Sequence, residues 1–196
     1  MSLLKLFAIL VSSESFPLCD FSMTIDQCTH SFDELSRDVL PNYLARLRAK
    51  FVNPIPMSIF AQPGKGVRSS CRVLGLTGDF SGCYVLLENG KPFYVGISRT
   101  VLKRLQQHTK GKTHFDASLA YKVASADWVS CDQRKMTRTK RMEETCFSPV
   151  FRGAQESIRC QTVSFVEIPN PLELYLFEPY CAMELDTCPW NSFRTH

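Results

Sequence analysis

Two short motifs, Gly82-Cys83-Tyr84 and Tyr94-Val95-Gly96, flank nine residues in the run GCYVLLENGKPFYVGIS. No other stretch constrains the fold of this chain as strongly. Apolar, β-branched and aromatic residues lie on both sides of Asn89-Gly90. That dipeptide is the strongest short-range sign of a hairpin, because a tight primed turn needs positive φ at both central positions. Register then decides where the tyrosines go, since a slip of one residue moves a side chain to the other face. A two-residue turn on Asn89-Gly90 pairs Tyr84 with Val95 and sets the phenols on opposite faces. A three-residue loop, Glu88 to Gly90 with Gly90 left-handed, pairs Tyr84 with Tyr94. The second register is the expectation, because it lets both hydroxyls share a site.

Around this hairpin the elements read as follows. Ser31-Phe32-Asp33-Glu34 is a capping box that opens a helix, whose apolar stripe is Leu35, Val39, Leu40, Tyr43, Leu44 and Leu47, with Pro41 as a kink or split. Asn53-Pro54-Ile55-Pro56 and Gln62-Pro63-Gly64-Lys65-Gly66 punctuate loops. They divide the chain into an N-terminal arm with a helical extension, residues 1–68, and a second unit, residues 69–196. Arg72 to Leu76 reads as a short strand leading to the hairpin. Arg99 to His108 reads as a helix with Val101, Leu102 and Leu105 inward, followed by a polar loop and a second helix from Phe115 to Val123. Gln133 to Thr145 is a basic helix, Gln161 to Ile168 alternates as a strand, and Asn170-Pro171 caps a last, apolar-rich helix. The fold class is α/β of the α+β kind: a small, mainly antiparallel sheet with the two-tyrosine hairpin, flanked by helices.

A hydrophobic content of 44% with 21% charged residues excludes wholesale disorder, and a net charge of +4 permits an anionic partner without demanding one. The nine cysteines form no CxxC pair, which gives a structural zinc site little support. Their odd, scattered arrangement reads as reduced thiols and a cytoplasmic location. The opening MSLLKLFAILVSS has a short apolar core, one lysine and no clear cleavage site, so it is not read as a secretory signal. No run reaches the roughly 18 apolar residues of a membrane helix.

The order of five elements then stands out: the two tyrosine motifs, the helix with Lys103-Arg104-Leu105-Gln106-Gln107-His108, Glu178 in LELYLFEPYCAMEL, and Asn191 thirteen residues later. Together they resemble the GIY-YIG nuclease superfamily over roughly residues 71–193. The resemblance implies hydrolysis of DNA phosphodiesters. Tyr84 would help activate water, Tyr94 would orient water or phosphate, and Arg104 would clamp the scissile phosphate. His108 would assist Tyr84, Glu178 would hold Mg2+ or Mn2+, and Asn191 would help hold the site together. Physics supports the grouping. A phenol titrates near 10 and becomes a base only where cations favour the phenolate. Arg104 and His108, four apart, share a helix face, and a carboxylate in an apolar segment is costly unless a cation meets it. Glu173 and Glu184 compete for the metal role but fit the family spacing less well. Pro179, directly after Glu178, departs from a normal helix interior, and Cys83 replaces the usual aliphatic centre of the first motif.

The basic segment Gln133 to Arg141 carries Arg134, Lys135, Arg138, Lys140 and Arg141. With Lys103, Lys110 and Lys112 these are candidates for phosphate-backbone contact, which weakens steeply with salt. A homodimer is allowed. Two rival readings are a catalytically silent nucleic-acid-binding protein on the same scaffold and a protein-interaction module with incidental tyrosines.

Overall fold

The computed structural model describes residues 24–128 and 136–193. The reading of the opening segment and the cations Arg134 and Lys135 lie outside these residues. Helix α1 (Phe32–Glu34) starts where the capping box lies. Glu34 N–H donates to Ser31 Oγ at 3.2 Å, and Ser31 N–H donates to the Glu34 carboxylate at 2.7 Å. The helical path continues through a wider π turn, Leu35–Val39, into α2 (Leu40–Ala49). Pro41 falls in the first turn of α2, where its missing N–H costs little, so the wide turn absorbs it without a break.

The segment between α2 and the hairpin differs from the sequence expectation. Ile55–Pro56 forms a short edge strand, β1, paired antiparallel with Val163 and Thr162, because Pro is tolerated at a sheet edge. After α3 (Ser58–Ala61), the segment expected as a strand is helix α4 (Val67–Leu74). Cys71 turns inward from it, a 3.6-residue pattern that a five-residue window misses. Gly75 at φ 67° ends the helix, and Leu76 N–H closes back onto the Cys71 carbonyl at 2.8 Å.

The hairpin is β2 (Gly82–Glu88) and β3 (Lys91–Ser98). Asn89 at φ 52° and Gly90 at φ 77° make the turn, and it contains two residues, since Glu88 pairs with Lys91. Tyr84 does not pair with Tyr94; it pairs with Gly96, and Tyr94 pairs with Leu86. The phenols nevertheless share a face. Between Leu87↔Pro92 and Leu86↔Tyr94 the register shifts by one residue, so Phe93 is the extra residue of a β-bulge. A bulge flips the alternation on one strand only, which converts opposite-face parity into same-face parity. The extra ring packs on Trp190, centroids 5.3 Å apart.

The chain continues through α5 (Val101–Lys110), α6 (Ser118–Asp127), α7 (Arg138–Glu143), α8 (Phe147–Cys160), β4 (Thr162–Glu167) and α9 (Pro171–Glu184). Helix α8, not anticipated from the sequence, packs on α6 and buries Phe147, Phe151 and Ile158. The sheet order is β1-β4-β2-β3, antiparallel throughout. Strand β2 is central and covered on both faces. Tyr84 and Leu86 enter the core built with α5, α6 and α8. Cys83, Val85 and Leu87 enter the core built with α2 and α9. β3 is the edge opposite β1, and the candidate residues Tyr94 and Asn191 lie along it. Among the described residues no helix is long and apolar enough to cross a membrane.

Candidate active site

The site is built around the Tyr84 ring. It lies across from Gly96, where a β-carbon would overlap the Tyr84 Cζ and hydroxyl, so glycine is what admits the ring. The Tyr84 hydroxyl meets His108 Nε2 at 2.7 Å, and the Tyr94 ring sits 6.3 Å from the Tyr84 ring and 6.1 Å from that of His108. Tyr84 is 1% exposed and His108 is fully buried, whereas Tyr94 is partly exposed.

Arg104 and His108 reach this point because α5 is fixed at its start. Asp79 accepts from the N–H groups of Leu102 (2.8 Å) and Lys103 (3.0 Å), a cap supplied from outside the helix to donors that would otherwise be orphaned. The Arg104 guanidinium is held in turn by the Asp116 carbonyl at 2.9 Å and Ser118 Oγ at 2.6 Å.

Desolvation governs the charges. Burial holds the Tyr84 phenol protonated, well above the usual tyrosine range; Tyr94 adds to this, and the Arg104 guanidinium opposes it. Tyr94 is pushed up to about 12 by burial and then by the charge of Glu178, with Arg104 opposing. Burial, with Arg104 second, drives His108 down to about 3, so its imidazole is neutral. Its Nδ1 is buried without a hydrogen-bond partner among the described residues. A bare acceptor is better tolerated than a bare N–H, which places the ring proton on Nε2, donating to the Tyr84 oxygen.

Glu178 lies mid-helix in α9, which runs through Pro179 unbroken. It lines a pocket of about 600 Å³ with Tyr94, Asn191, Ser118 and Lys122. This pocket lies beyond the β3 edge, where α6 from one sheet face meets α9 from the other. Burial pushes the Glu178 carboxyl up to about 7, and no salt bridge reaches it among the described residues. A half-buried carboxylate with no salt-bridge partner among the described residues is a fit for a divalent ion, and the cations Lys122, Arg138 and Arg141 line the same pocket. The competing acids are elsewhere: Glu184 faces Arg48 at 3.8 Å, and Glu173 is hydrogen-bonded to His30 and Tyr43.

Asn191 is where the C-terminal tail clamps the sheet edge. Its Oδ1 accepts from Val95 N–H at 3.0 Å, and its Nδ2 donates to Val95 C=O at 2.8 Å, so its amide pairs with the edge as another strand would.

Of the basic candidates, Arg138 and Arg141 line the same pocket as Glu178. They lie over Tyr121 (5.8 Å) and Trp128 (5.3 Å). Lys140 and Lys112 are exposed, as is Lys103. Lys110 is turned toward the Lys65 carbonyl at 2.8 Å, and Lys103, Lys110 and Lys112 do not line the pocket. The sequence reading missed Asp79, Ser118, Tyr121, Lys122 and Trp190. None carried a local signal, since each matters only through partners far along the chain.

The family model for the GIY-YIG catalytic domain matches residues 80–145, about a third of the chain. The match runs from just before the hairpin to just past α7 and supports the GIY-YIG superfamily, a nuclease-type family. Glu178 and Asn191 fall after it. Neither curated proteins nor solved structures give a match. None of these findings supports a homodimer.

Proposed function

We propose that this protein is a divalent-metal-dependent DNA endonuclease, acting in the cytoplasm, that hydrolyses phosphodiester bonds at the β3 edge. The observation that carries the reading is the 2.7 Å Tyr84–His108 pair under the influence of Arg104, with Tyr94 packed on both rings and lining one pocket with Glu178. Water attacks phosphorus in line, and the bond to the leaving ester oxygen breaks. The Tyr84 phenol, protonated in the resting site, first gives its proton to solvent; the phenolate, favoured by the His108 Nε2–H and the Arg104 guanidinium, then takes the water proton. Tyr94, at the pocket surface, orients the phosphate or the water. Glu178 would hold Mg2+ or Mn2+, which supplies positive charge against the charge developing on the phosphoryl oxygens. Arg138 and Arg141 take flanking phosphates and give affinity without sequence information.

The test is cleavage of supercoiled plasmid by purified protein with Mg2+ or Mn2+. Tyr84→Phe, Arg104→Ala and Glu178→Ala should each lower the rate by roughly 10²-fold or more. Cleavage unchanged in all three sinks the proposal. The burial of Tyr84 favours one alternative, a catalytically silent nucleic-acid-binding protein on the same scaffold. That protein would bind DNA with a salt dependence removed by charge reversal at Arg138 and Lys140, and would cut nothing.

A further inference from the structure

We propose that Cys28, His30 and Glu173 bind a transition-metal ion of zinc type, at a site separate from the pocket of Glu178. The three ligand atoms lie within 4.8 Å of one another. Cys28 and Glu173 are 5% and 6% exposed, and His30 is exposed. One Glu173 oxygen faces both other donors, His30 Nδ1 at 2.9 Å and Cys28 Sγ at 3.9 Å. Its second oxygen accepts from the Tyr43 hydroxyl at 2.7 Å. This is the division expected of a metal-bound carboxylate, with one oxygen toward the ion and the other oriented by an outer hydrogen bond.

The backbone prepares the cluster. Glu173 stands in the first turn of α9, and its N–H donates to the capping Asn170 Oδ1 at 3.1 Å. On the other side, Asp26 and Gln27 both have positive φ, 51° and 59°. Consecutive left-handed residues of this type each cost about 1 kcal/mol or more, and here they turn Cys28 inward. Asn170 Nδ2 donates to the Asp26 carbonyl at 3.0 Å and ties the two sides together.

Donor chemistry selects the ion. Magnesium takes oxygen ligands, whereas a thiolate, an imidazole and a carboxylate suit zinc, with a fourth position left for water. On binding, the Cys28 thiol proton leaves to solvent, and the His30–Glu173 hydrogen bond is replaced by bonds from each to the metal. The ion thereby fastens the segment before α1 to the start of α9. Sequence spacing could not reveal this, because Glu173 lies 143 residues from His30.

The test uses the full chain, stripped with a chelator and titrated with Co2+ as a spectroscopic probe, then with Zn2+ measured by elemental analysis. We expect one equivalent bound, a thiolate-to-cobalt charge-transfer band, and a melting temperature that rises with zinc. Cys28→Ser should abolish the band. His30→Ala, at an exposed position that does not endanger folding, should weaken binding by at least a hundredfold, and Tyr43→Phe by about 10–100-fold. Glu178→Ala and Cys188→Ser should leave the band and the stoichiometry intact. A wild-type chain without the band, a band that survives Cys28→Ser, or an affinity unmoved by His30→Ala overturns the proposal. Plasmid cleavage by zinc-free protein in Mg2+ is independent of it, so the two readings fail separately.

Discussion

Gly96→Ala isolates the fit between the hairpin strands and the Tyr84 ring. Gly96 does not have positive φ, so alanine meets no backbone penalty there and the effect is steric. The new methyl overlaps Tyr84 Cζ and Oη. Carbon atoms settle at about 3.5–4 Å, so the ring must withdraw by on the order of 1 Å. Tyr84 is 1% exposed, and forcing an extra methyl into such a core costs about 1–3 kcal/mol. The same movement breaks the 2.7 Å bond to His108, whose other ring nitrogen is already bare. Leaving both nitrogens unpaired adds roughly 1–3 kcal/mol. At about 2–4 °C per kcal/mol for a chain of this size, the melting temperature should fall by roughly 5–20 °C. Cleavage of plasmid DNA should fall by about 10²-fold, as expected for a displacement of that size at a reacting group. The control is Gly153→Ala in α8, which has open space around it and should gain about 0.5–1 kcal/mol. A Gly96→Ala protein that melts with the wild type and cuts at its rate refutes the reasoning.

Three further outcomes follow from the same geometry. The His108 imidazole sits at about 3 when folded, below its ordinary 6.5. The stability this gives is complete above about 6.5 and lost as pH falls toward 3, by up to about 1.4 kcal/mol per pH unit; denaturant midpoints across that window should flatten in His108→Gln. The Glu178 carboxyl is shifted the other way, to about 7 from 4.5, so its contribution is present below 4.5 and lost as pH rises through 7. Glu178→Gln should therefore melt higher than wild type at pH 8, by on the order of 1–2 kcal/mol after allowing for partial exposure, and match it at pH 4.5. Asn191→Ala removes both bonds to Val95 and should cost about 1–2 kcal/mol, with hydrogen exchange at the Val95 amide rising ahead of its neighbours in β2.

What the sequence discloses here is what short segments determine by themselves. Ser31 with Glu34 and Asn170 before Pro171 carry their own hydrogen-bond logic within a few residues and stand in the fold as read, and Asn89-Gly90 marks the hairpin, though its turn has two residues and not the expected three. The tyrosine register was not legible, because the deciding residue is Phe93, and a bulge there gains from Trp190, a partner far down the chain. β1 escaped notice since two residues ending in Pro56 define a strand only once β4 lies beside them. Arg104 and His108 were legible as one helix face. Asp79, which starts their helix, was not, since a cap supplied through space leaves no spacing to count. Pro179 raised doubt about the helix around Glu178, yet α9 continues through it, so local propensity yields to the packing of Phe177 and Cys181.

The perturbed groups of the site share a common cause, and that cause explains how the fold makes it. Desolvation is the largest influence on Tyr84, Tyr94, His108 and Glu178 alike. It arises because β2 is covered on both faces while β3 is left as an edge. Tyr84, on the central strand, is sealed; Tyr94, on the edge strand and brought to the same face by the Phe93 bulge, opens to the pocket. Glu178 comes from the opposite face of the sheet, so the pocket exists only where the two helical layers meet past the edge. Burial there favours the neutral form of each acid and of the imidazole, while Arg104 beside Tyr84 and the pocket-lining Lys122, Arg138 and Arg141 supply the positive charge. The Asn191 clamp closes the same edge to a further strand, which keeps β3 a boundary for the site and not a surface for pairing.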